Sequence, residues 1–460
     1  MSALAVFTGF YPDVSAILPV PLSLPASLSL PSSVVLTVFT VFVFTQVLYL
    51  VVNVAVTGLL YVRPVNSVPE EPPSEHQPVN VLMAVRGERR EILEETIVEI
   101  FEQEYPEELI HVYVVYEEDD PVVNEYVREM SDWASDRGWD VVPWEVDRDG
   151  LRYYLQANGR LLDGGQSPKT KAAALTYAFS TLSLPPDEVV TVYDSDTVLP
   201  SDTFSLAVRG LEEYDLVQAK QTVRNHADGW LPALEAMGIA AWSHIIYAST
   251  SRGPYQLLGK GYFFEVGKLY AIGGWDADEI TEDMTLGVEA YINGYELGVL
   301  DRYVQDLCPT NFADWRRQKR RWVMGPYKHL LNERLSGRDR VRFWAFTVAN
   351  QMLSLTNLVG VPAGLYVLWR TLGGRPFVFS TALTVVVALN FVSWLYYSIR
   401  TYAATRAAVS FRSRREKTRF YLLANPFTQV LYATIWVVPI VGAMWRFARG
   451  EDVAFEVTPK

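Results

Sequence analysis

Tyr193-Asp194-Ser195-Asp196 lies near the middle of this chain, directly after the apolar run Val189 to Val192. Two carboxylates at a strand end can hold a divalent cation through hard oxygen ligands. Thr281-Glu282-Asp283 follows downstream, where a separate carboxylate can take a proton. Gln318-Lys319-Arg320-Arg321-Trp322 then combines an amide, cations and an indole. A hydrophobic span precedes the set and several follow it. Together the three groups suggest an enzyme that handles a sugar diphosphate beside a membrane.

Each motif taken alone is weak. Asp-x-Asp occurs at Asp147/Asp149, Asp194/Asp196 and Asp276/Asp278. The ordinary reading of any one of them is a solvated turn. Ligands in open α/β sheets bind at the carboxyl ends of strands, and only Asp194/Asp196 follows an uninterrupted β-branched run. The other two pairs sit in polar stretches punctuated by Gly and Trp that read as turns. Thr281 with Glu282 and Asp283 also fits a helix N-cap and first turn, and both readings can hold at once. The basic stretch Trp315 to Leu331 reads by itself as an amphipathic interfacial helix.

In order and spacing the three motifs resemble those of the membrane-integrated family 2 glycosyltransferases, the group of cellulose, chitin and hyaluronan synthases. The resemblance covers roughly residues 79 to 335. It implies a GT-A-like α/β nucleotide-diphospho-sugar transferase domain joined to an α-helical transmembrane region. It implies Asp194 and Asp196 at a Mg²⁺ or Mn²⁺ ion, Asp196 touching the metal directly and Asp194 facing the nucleotide. Asp283 matches the general base of an inverting transfer. Trp322 would stack on the acceptor sugar, with Glu282, Gly259 and Lys260 beside it, while Gln318 and Arg321 face the diphosphate. An indole face suits the apolar face of a pyranose, and Arg suits phosphate.

The nucleotide side is less well marked. Arg86-Gly87-Glu88 stands where the family has Arg-Asn-Glu. Glu117 and Glu118 fall where an Asp contacts uracil in relatives, although an acidic loop explains them equally well. Lys171 matches a family Lys-Ala-Ala-Ala-Leu-Asn pattern, with Thr176 in place of Asn; Lys169 is the lesser candidate. Gly259-Lys260-Gly261 matches a loop that borders the acceptor, where Lys260 is unusual, and an ordinary Gly-rich turn explains it equally well. The terminal Phe455-Glu456-Val457-Thr458-Pro459-Lys460 resembles the gating-loop motif Phe-x-Val-Thr-x-Lys, which would bring Thr458 and Lys460 to the nucleotide.

Net charge is −13, which argues against nucleic acid as a partner, since phosphate binding needs a basic face. The single cysteine, Cys308, excludes an intramolecular disulfide and reads as a small buried residue. No charged residue occurs from Val14 to Val62. Residues 1–33 are apolar but Pro-rich, so no span is expected there, and no basic region marks a signal peptide. The uncharged run 34–62 exceeds the roughly twenty residues needed to cross a bilayer. A linker at 63–78 then leads into the catalytic region at 79–335.

Val79 to Val85 reads as a strand, Glu88 to Gln103 as a helix and His111 to Tyr116 as a second strand. This is the opening of a nucleotide-binding α/β domain. Lys171 to Ser180 reads as a helix and Glu188 to Tyr193 as a buried strand. Residues 336–399 form a transmembrane hairpin, with spans Phe343 to Trp369 and Pro376 to Ile399 turning at Gly373-Gly374. The Arg-rich loop 400–419 is cytoplasmic by the positive-inside rule. Residues 420–446, which contain Pro426 and Pro439, read as an interfacial, re-entrant or transmembrane helix; a non-spanning path, with a cytoplasmic gating-loop-like tail at 447–460, is the expectation.

These readings point to a multi-pass protein of the cell membrane with its catalytic domain in the cytoplasm. Its partners would be a UDP-sugar, membrane lipids and a polysaccharide acceptor. A single transfer onto a lipid-linked acceptor is the alternative. A non-catalytic membrane protein is a third class, disfavoured by intact carboxylates at the key positions.

Overall fold

The structure is a computed structural model that describes residues 32–61, 66–160, 165–250 and 253–450. In chain order the elements are α1 (Ser32–Tyr61), β1 (Val79–Ala84), α2 (Arg90–Phe101), β2 (Ile110–Glu117), α3 (Pro121–Ser135), β3 (Asp140–Val146), α4 (Arg148–Ala157) and α5 (Lys171–Thr181). Next come β4 (Val189–Val192), α6 (Thr203–Leu211), β5 (Leu216–Val223), α7 (Trp230–Thr250), β6 (Tyr262–Glu265), α8 (Val266–Ala271), α9 (Glu282–Ile292) and β7 (Leu297–Asp306). The helices α10 (Phe312–His329), α11 (Gly337–Leu372), α12 (Thr381–Ala408), α13 (Arg414–Leu423), α14 (Pro426–Ile435) and α15 (Val437–Ala448) follow.

The strands form one sheet in the order β3-β2-β1-β4-β6-β5-β7. β6 runs antiparallel to β4 and β5, and the other pairings are parallel. Strands buried on both faces need near-continuous apolar sequence, and Val189–Val192 is wholly buried. One face is covered by Leu93, Ile97 and Ile100 of α2, Val123 and Val127 of α3, and Phe204 and Val208 of α6. The other is covered by Leu175 and Phe179 of α5 and Leu286 of α9.

After β1 the chain winds outward to β2 and β3, whereas β4 joins on the opposite side. The loops leaving β1 and β4 therefore diverge and open a crevice at the strand ends, where open α/β sheets place their ligands. Arg86 follows β1 there, and Asp194 follows β4.

The elements expected from sequence are present with shifted ends. The first helix is shorter than 88–103 because Arg86 to Arg89 form a turn in which Gly87 has φ +72°. Gly adopts this left-handed conformation readily. The stretch expected as a linker is partly pinned to the sheet: Ser67 bridges Val299, and Val68 N–H donates to the Val299 carbonyl at 3.0 Å.

The two helices expected at 336–399 are α11 and α12, each packed on α1 rather than closely on the other, and α12 begins at Thr381, where Ser380 caps it, rather than at 376. It also continues through Arg400 and Arg406, so the expected loop 400–419 is the end of α12 and the start of α13. The segment 420–446 breaks at Asn425, whose side chain makes a capping box ahead of Pro426, and again at Trp436. Pro439 has no N–H to donate to Ile435, the last residue of α14, so the interruption at Trp436 falls in the turn before it, where Pro disturbs a helix. Residues 1–31 and 451–460 lie outside the described residues, and with them the tail motif carrying Thr458 and Lys460.

Candidate active site

Asp194 and Asp196 occupy the turn that leaves β4. Asp194 accepts from Lys171 Nζ at 2.6 Å on Oδ1 and from Lys260 Nζ at 3.3 Å on Oδ2. Asp196 is almost fully buried, and its Oδ2 accepts the Leu307 N–H at 3.0 Å. The turn is tied to the end of β7, where Thr197 Oγ1 donates to Asp306 Oδ1 at 3.3 Å and Lys260 pairs with Asp306 Oδ2. Lys171 is the first residue of α5, a helix capped by Thr170. Its ammonium also lies 3.0 Å from the Gly259 carbonyl and 3.6 Å from Glu282 Oε1. Burial pulls the Lys171 pKa down, but Asp194 and Glu282 overcome it and leave it raised.

Asp283 projects into the same cluster from the first turn of α9. Its Oδ1 accepts the Met284 N–H at 2.8 Å. Its Oδ2 would lie 3.4 Å from a Cβ placed at Gly259, so the glycine loop runs against the carboxylate. Burial and the neighbouring Glu282 push its pKa up to about 7, against the lowering effects of the Met284 N–H, Lys171 and Arg321. Thr281 precedes α9, but its side chain makes no capping bond. It packs instead on Gly325 of α10, where any Cβ would collide with it. A glycine at that one position lets α10 cross directly over the start of α9. The N-cap reading of Thr281 is thus right for its place and wrong for its hydroxyl.

Gln318, Arg321 and Trp322 lie on α10, all partly buried. Lys319, inside the same motif, is 1% exposed. Its Nζ sits 3.4 Å above the Trp322 ring and donates to Gln318 Oε1 at 3.0 Å.

On the β1 and β2 side of the crevice, the Glu88 carboxylate accepts the Arg86 N–H, and the Gly87 N–H donates to Asp120 Oδ2 at 2.6 Å. Asp120 caps α3 as well. Glu117 is buried and held by both Arg148 Nε and Nη2. Glu118 is exposed. Lys169 and Arg86 both approach Asp119.

The structure brings Asp194, Lys171, Gly259, Lys260, Glu282 and Asp283 together, with Arg321 near Asp283. It puts Arg86, Glu88, Glu117 and Glu118 on the β1 and β2 side of the crevice. Sequence reasoning missed Arg148, Asp306, Lys319 and Glu235. Asp147/Asp149, read as a turn, brackets Arg148 at the start of α4, with Asp147 as its N-cap. Glu235 is a lone carboxylate in the otherwise apolar α7, and that was the signal for it. Cys308 is buried, and burial raises its thiol pKa, as a non-reactive residue requires.

The carboxylates present suit a hard divalent cation. Among the described residues no three His, Cys, Asp or Glu side chains form a closed cage. An ion of the Mg²⁺ type takes one or two carboxylates and completes its shell with substrate phosphate and water. Asp194 and Asp196 would hold it.

The mannosyltransferase from Pyrobaculum calidifontis, solved in complex with GDP-Man and Mn²⁺, superposes with a TM-score of 0.50 at 15% identity over 90% of this chain and 98% of that one. This likeness shows the GT-A-like fold. Among curated proteins, the β-monoglucosyldiacylglycerol synthase of Synechocystis is 22% identical over 75% of this chain and 73% of its own length. Glucomannan 4-β-mannosyltransferase 2 of Arabidopsis thaliana is 24% identical over 60% of this chain, which spans half of that protein's length. The family model "Glycosyl transferase family group 2" matches residues 189–448, from the strand that presents Asp194 to the end of α15. The chain is a family 2 glycosyltransferase, an enzyme built on a GT-A-like α/β sheet.

Proposed function

We propose that this enzyme moves a sugar from a nucleotide sugar, in the first place a UDP-sugar, to a growing polysaccharide at a membrane, with inversion at the anomeric carbon. The observation that carries the reading is the single cluster in which Asp283, Lys171, Asp194 and Gly259 meet at the strand ends. Asp283 takes the proton of the acceptor hydroxyl. That oxygen attacks the anomeric carbon, and the bond from this carbon to the diphosphate oxygen breaks on the opposite face. Lys171 and Arg321 supply positive charge where the leaving diphosphate gathers negative charge. A Mg²⁺ or Mn²⁺ ion on Asp194 and Asp196 adds charge neutralisation of that diphosphate when bound. Trp322 offers its ring to the acceptor sugar, with Glu282, Gly259 and Lys260 beside it. Arg86, Glu88, Glu117 and Glu118 line the nucleotide end, with Arg148 fixing Glu117.

The helical part supports a membrane location. Thr381–Ala408 and Pro426–Ala448 are long and apolar enough to cross a bilayer. We read α1, α11 and α12 as crossing, with the transferase domain on the cytoplasmic side. The path of α15 favours a different fate for the last segment. Trp436 packs on Trp315 with ring centroids 5.5 Å apart, Gly442 approaches Arg320, and Phe447 packs on Tyr327 at 5.3 Å. α15 thus runs alongside the interfacial α10 in the same direction. It ends near Tyr327, two residues from the Gly325 that packs on Thr281, which supports a cytoplasmic tail able to reach the site.

A second reading, one sugar added to a lipid acceptor, is favoured by the glycolipid synthase that matches three-quarters of the chain. Product size decides between them. The purified chain in proteoliposomes would be given Mn²⁺ and radiolabelled UDP-glucose or GDP-mannose. A product ladder supports the polysaccharide reading. One sugar on lipid supports the second, and nucleotide-sugar turnover with neither product counts against both.

A further inference from the structure

Two fully buried charges lie outside the reacting cluster. Glu235 of α7 is 0% exposed, and its Oε1 is 2.5 Å from Lys319 Nζ of α10. Glu235 Oε2 accepts from Trp315 Nε1 at 2.7 Å and from Tyr432 Oη of α14 at 2.7 Å. Tyr432 reaches this position because α7 has a glycine at 238, where a Cβ would come within 2.5 Å of the phenol ring. One carboxylate therefore ties together three helices that are far apart in sequence.

A buried ion pair is weak evidence for stability, because desolvation can exceed the Coulombic gain. The other contacts of Lys319 give it a more specific use. Its ammonium touches both ends of the Gln-x-x-Arg-Trp motif, donating to the Gln318 amide at 3.0 Å and lying 3.4 Å over the Trp322 indole. A desolvated cation–π contact of this kind is stronger than an exposed one and fixes where the ring sits. The ammonium is held in turn by Glu235 alone among the carboxylates that contact it in the described residues.

We propose that Glu235 and Lys319 are positioning residues that set the Trp322 indole, the acceptor platform, and couple it through Tyr432 to the C-terminal helices. The assignment rests on the acceptor reading of Trp322 given above. Movement of α14 shifts Tyr432, the Glu235 carboxylate and the ammonium together, and so reaches the indole.

The test uses the full-length chain in nanodiscs with Mn²⁺, UDP-glucose or GDP-mannose as donor, and cellotetraose or dioleoylglycerol as acceptor. Lys319→Met and the paired variant Glu235→Gln/Lys319→Met should raise the acceptor KM by about tenfold, the scale of one charge-assisted hydrogen bond. The donor KM should change less, and Lys319→Arg should largely restore the acceptor KM. The paired variant leaves no unpaired buried charge, so it separates positioning from folding. Tyr432→Phe, which keeps the ring and removes one donor, should shift the acceptor KM in the same direction by a few-fold.

A second readout needs no acceptor. Acrylamide quenching of the Trp322 emission, isolated by subtracting a Trp322→Phe spectrum, should increase in Lys319→Met. A folded paired variant with a normal acceptor KM, equal effects on donor and acceptor, or unchanged quenching would each overturn the assignment. A Trp322→Ala variant with a normal acceptor KM would overturn the acceptor reading instead, and the quenching result would then decide the positioning role by itself.

Discussion

Replacing Asp283 by Asn should destroy transfer and stabilise the protein. Burial and the adjacent Glu282 raise the carboxyl pKa to about 7, so the folded site favours the neutral form. Between the ordinary Asp pKa and about 7 the folded state holds a proton that the unfolded chain has released. Stability attributable to this group therefore falls as pH rises through that window and stays reduced above it. One pKa unit corresponds to about 1.4 kcal/mol, and after discounting for partial exposure and coupling the cost at pH 8 is on the order of 2 kcal/mol.

Asn copies the neutral acid in shape and still accepts the Met284 N–H. The variant should melt about 4–8 °C higher than wild type at pH 8. It should show almost no gain at pH 4, where wild type is itself protonated. Loss of a general base costs roughly a hundred- to ten-thousand-fold in transfer, whereas nucleotide affinity should hold. In wild type, kcat/KM should fall on the acid side of about pH 7 as the base is protonated. Scanning calorimetry at the two pH values, with initial rates and UDP titration calorimetry, covers each part. Near-normal transfer by the variant would remove Asp283 from the base role. A lower melting point at pH 8 would refute the electrostatic argument even if activity were lost.

Asp196→Asn should lose turnover while keeping the fold, and wild type in excess chelator should do the same; normal transfer in either case contradicts metal binding there. Gly325→Ala should separate α10 from the start of α9 by pressing a methyl into Thr281. Transfer should then drop by about tenfold or more while UDP binding persists, and an unchanged rate would show that the crossing is not needed. With Cys308 replaced, a Cys introduced beside Lys460 should resist a membrane-impermeant thiol reagent on intact cells. Ready labelling would put the tail outside and undo the gating-tail proposal.

The sequence by itself determined the class of chemistry, because Asp194/Asp196, Thr281-Glu282-Asp283 and Gln318-x-x-Arg321-Trp322 are local patterns whose order is visible along the chain. It also determined the buried strand Val189–Val192 and the apolar helices, since continuous hydrophobicity is a local property too. Local rules failed where a partner distant in sequence decided the outcome. Thr281 looks like a cap, yet its side chain is claimed by Gly325 of α10. Asp147 looks like a turn residue, yet it starts the helix that delivers Arg148 to Glu117. Glu235 and Lys319 are 84 residues apart, and nothing along the chain pairs them. Only the tertiary fold decided which side chains share a cluster, because burial and the neutralisation of a charge depend on what packs around it.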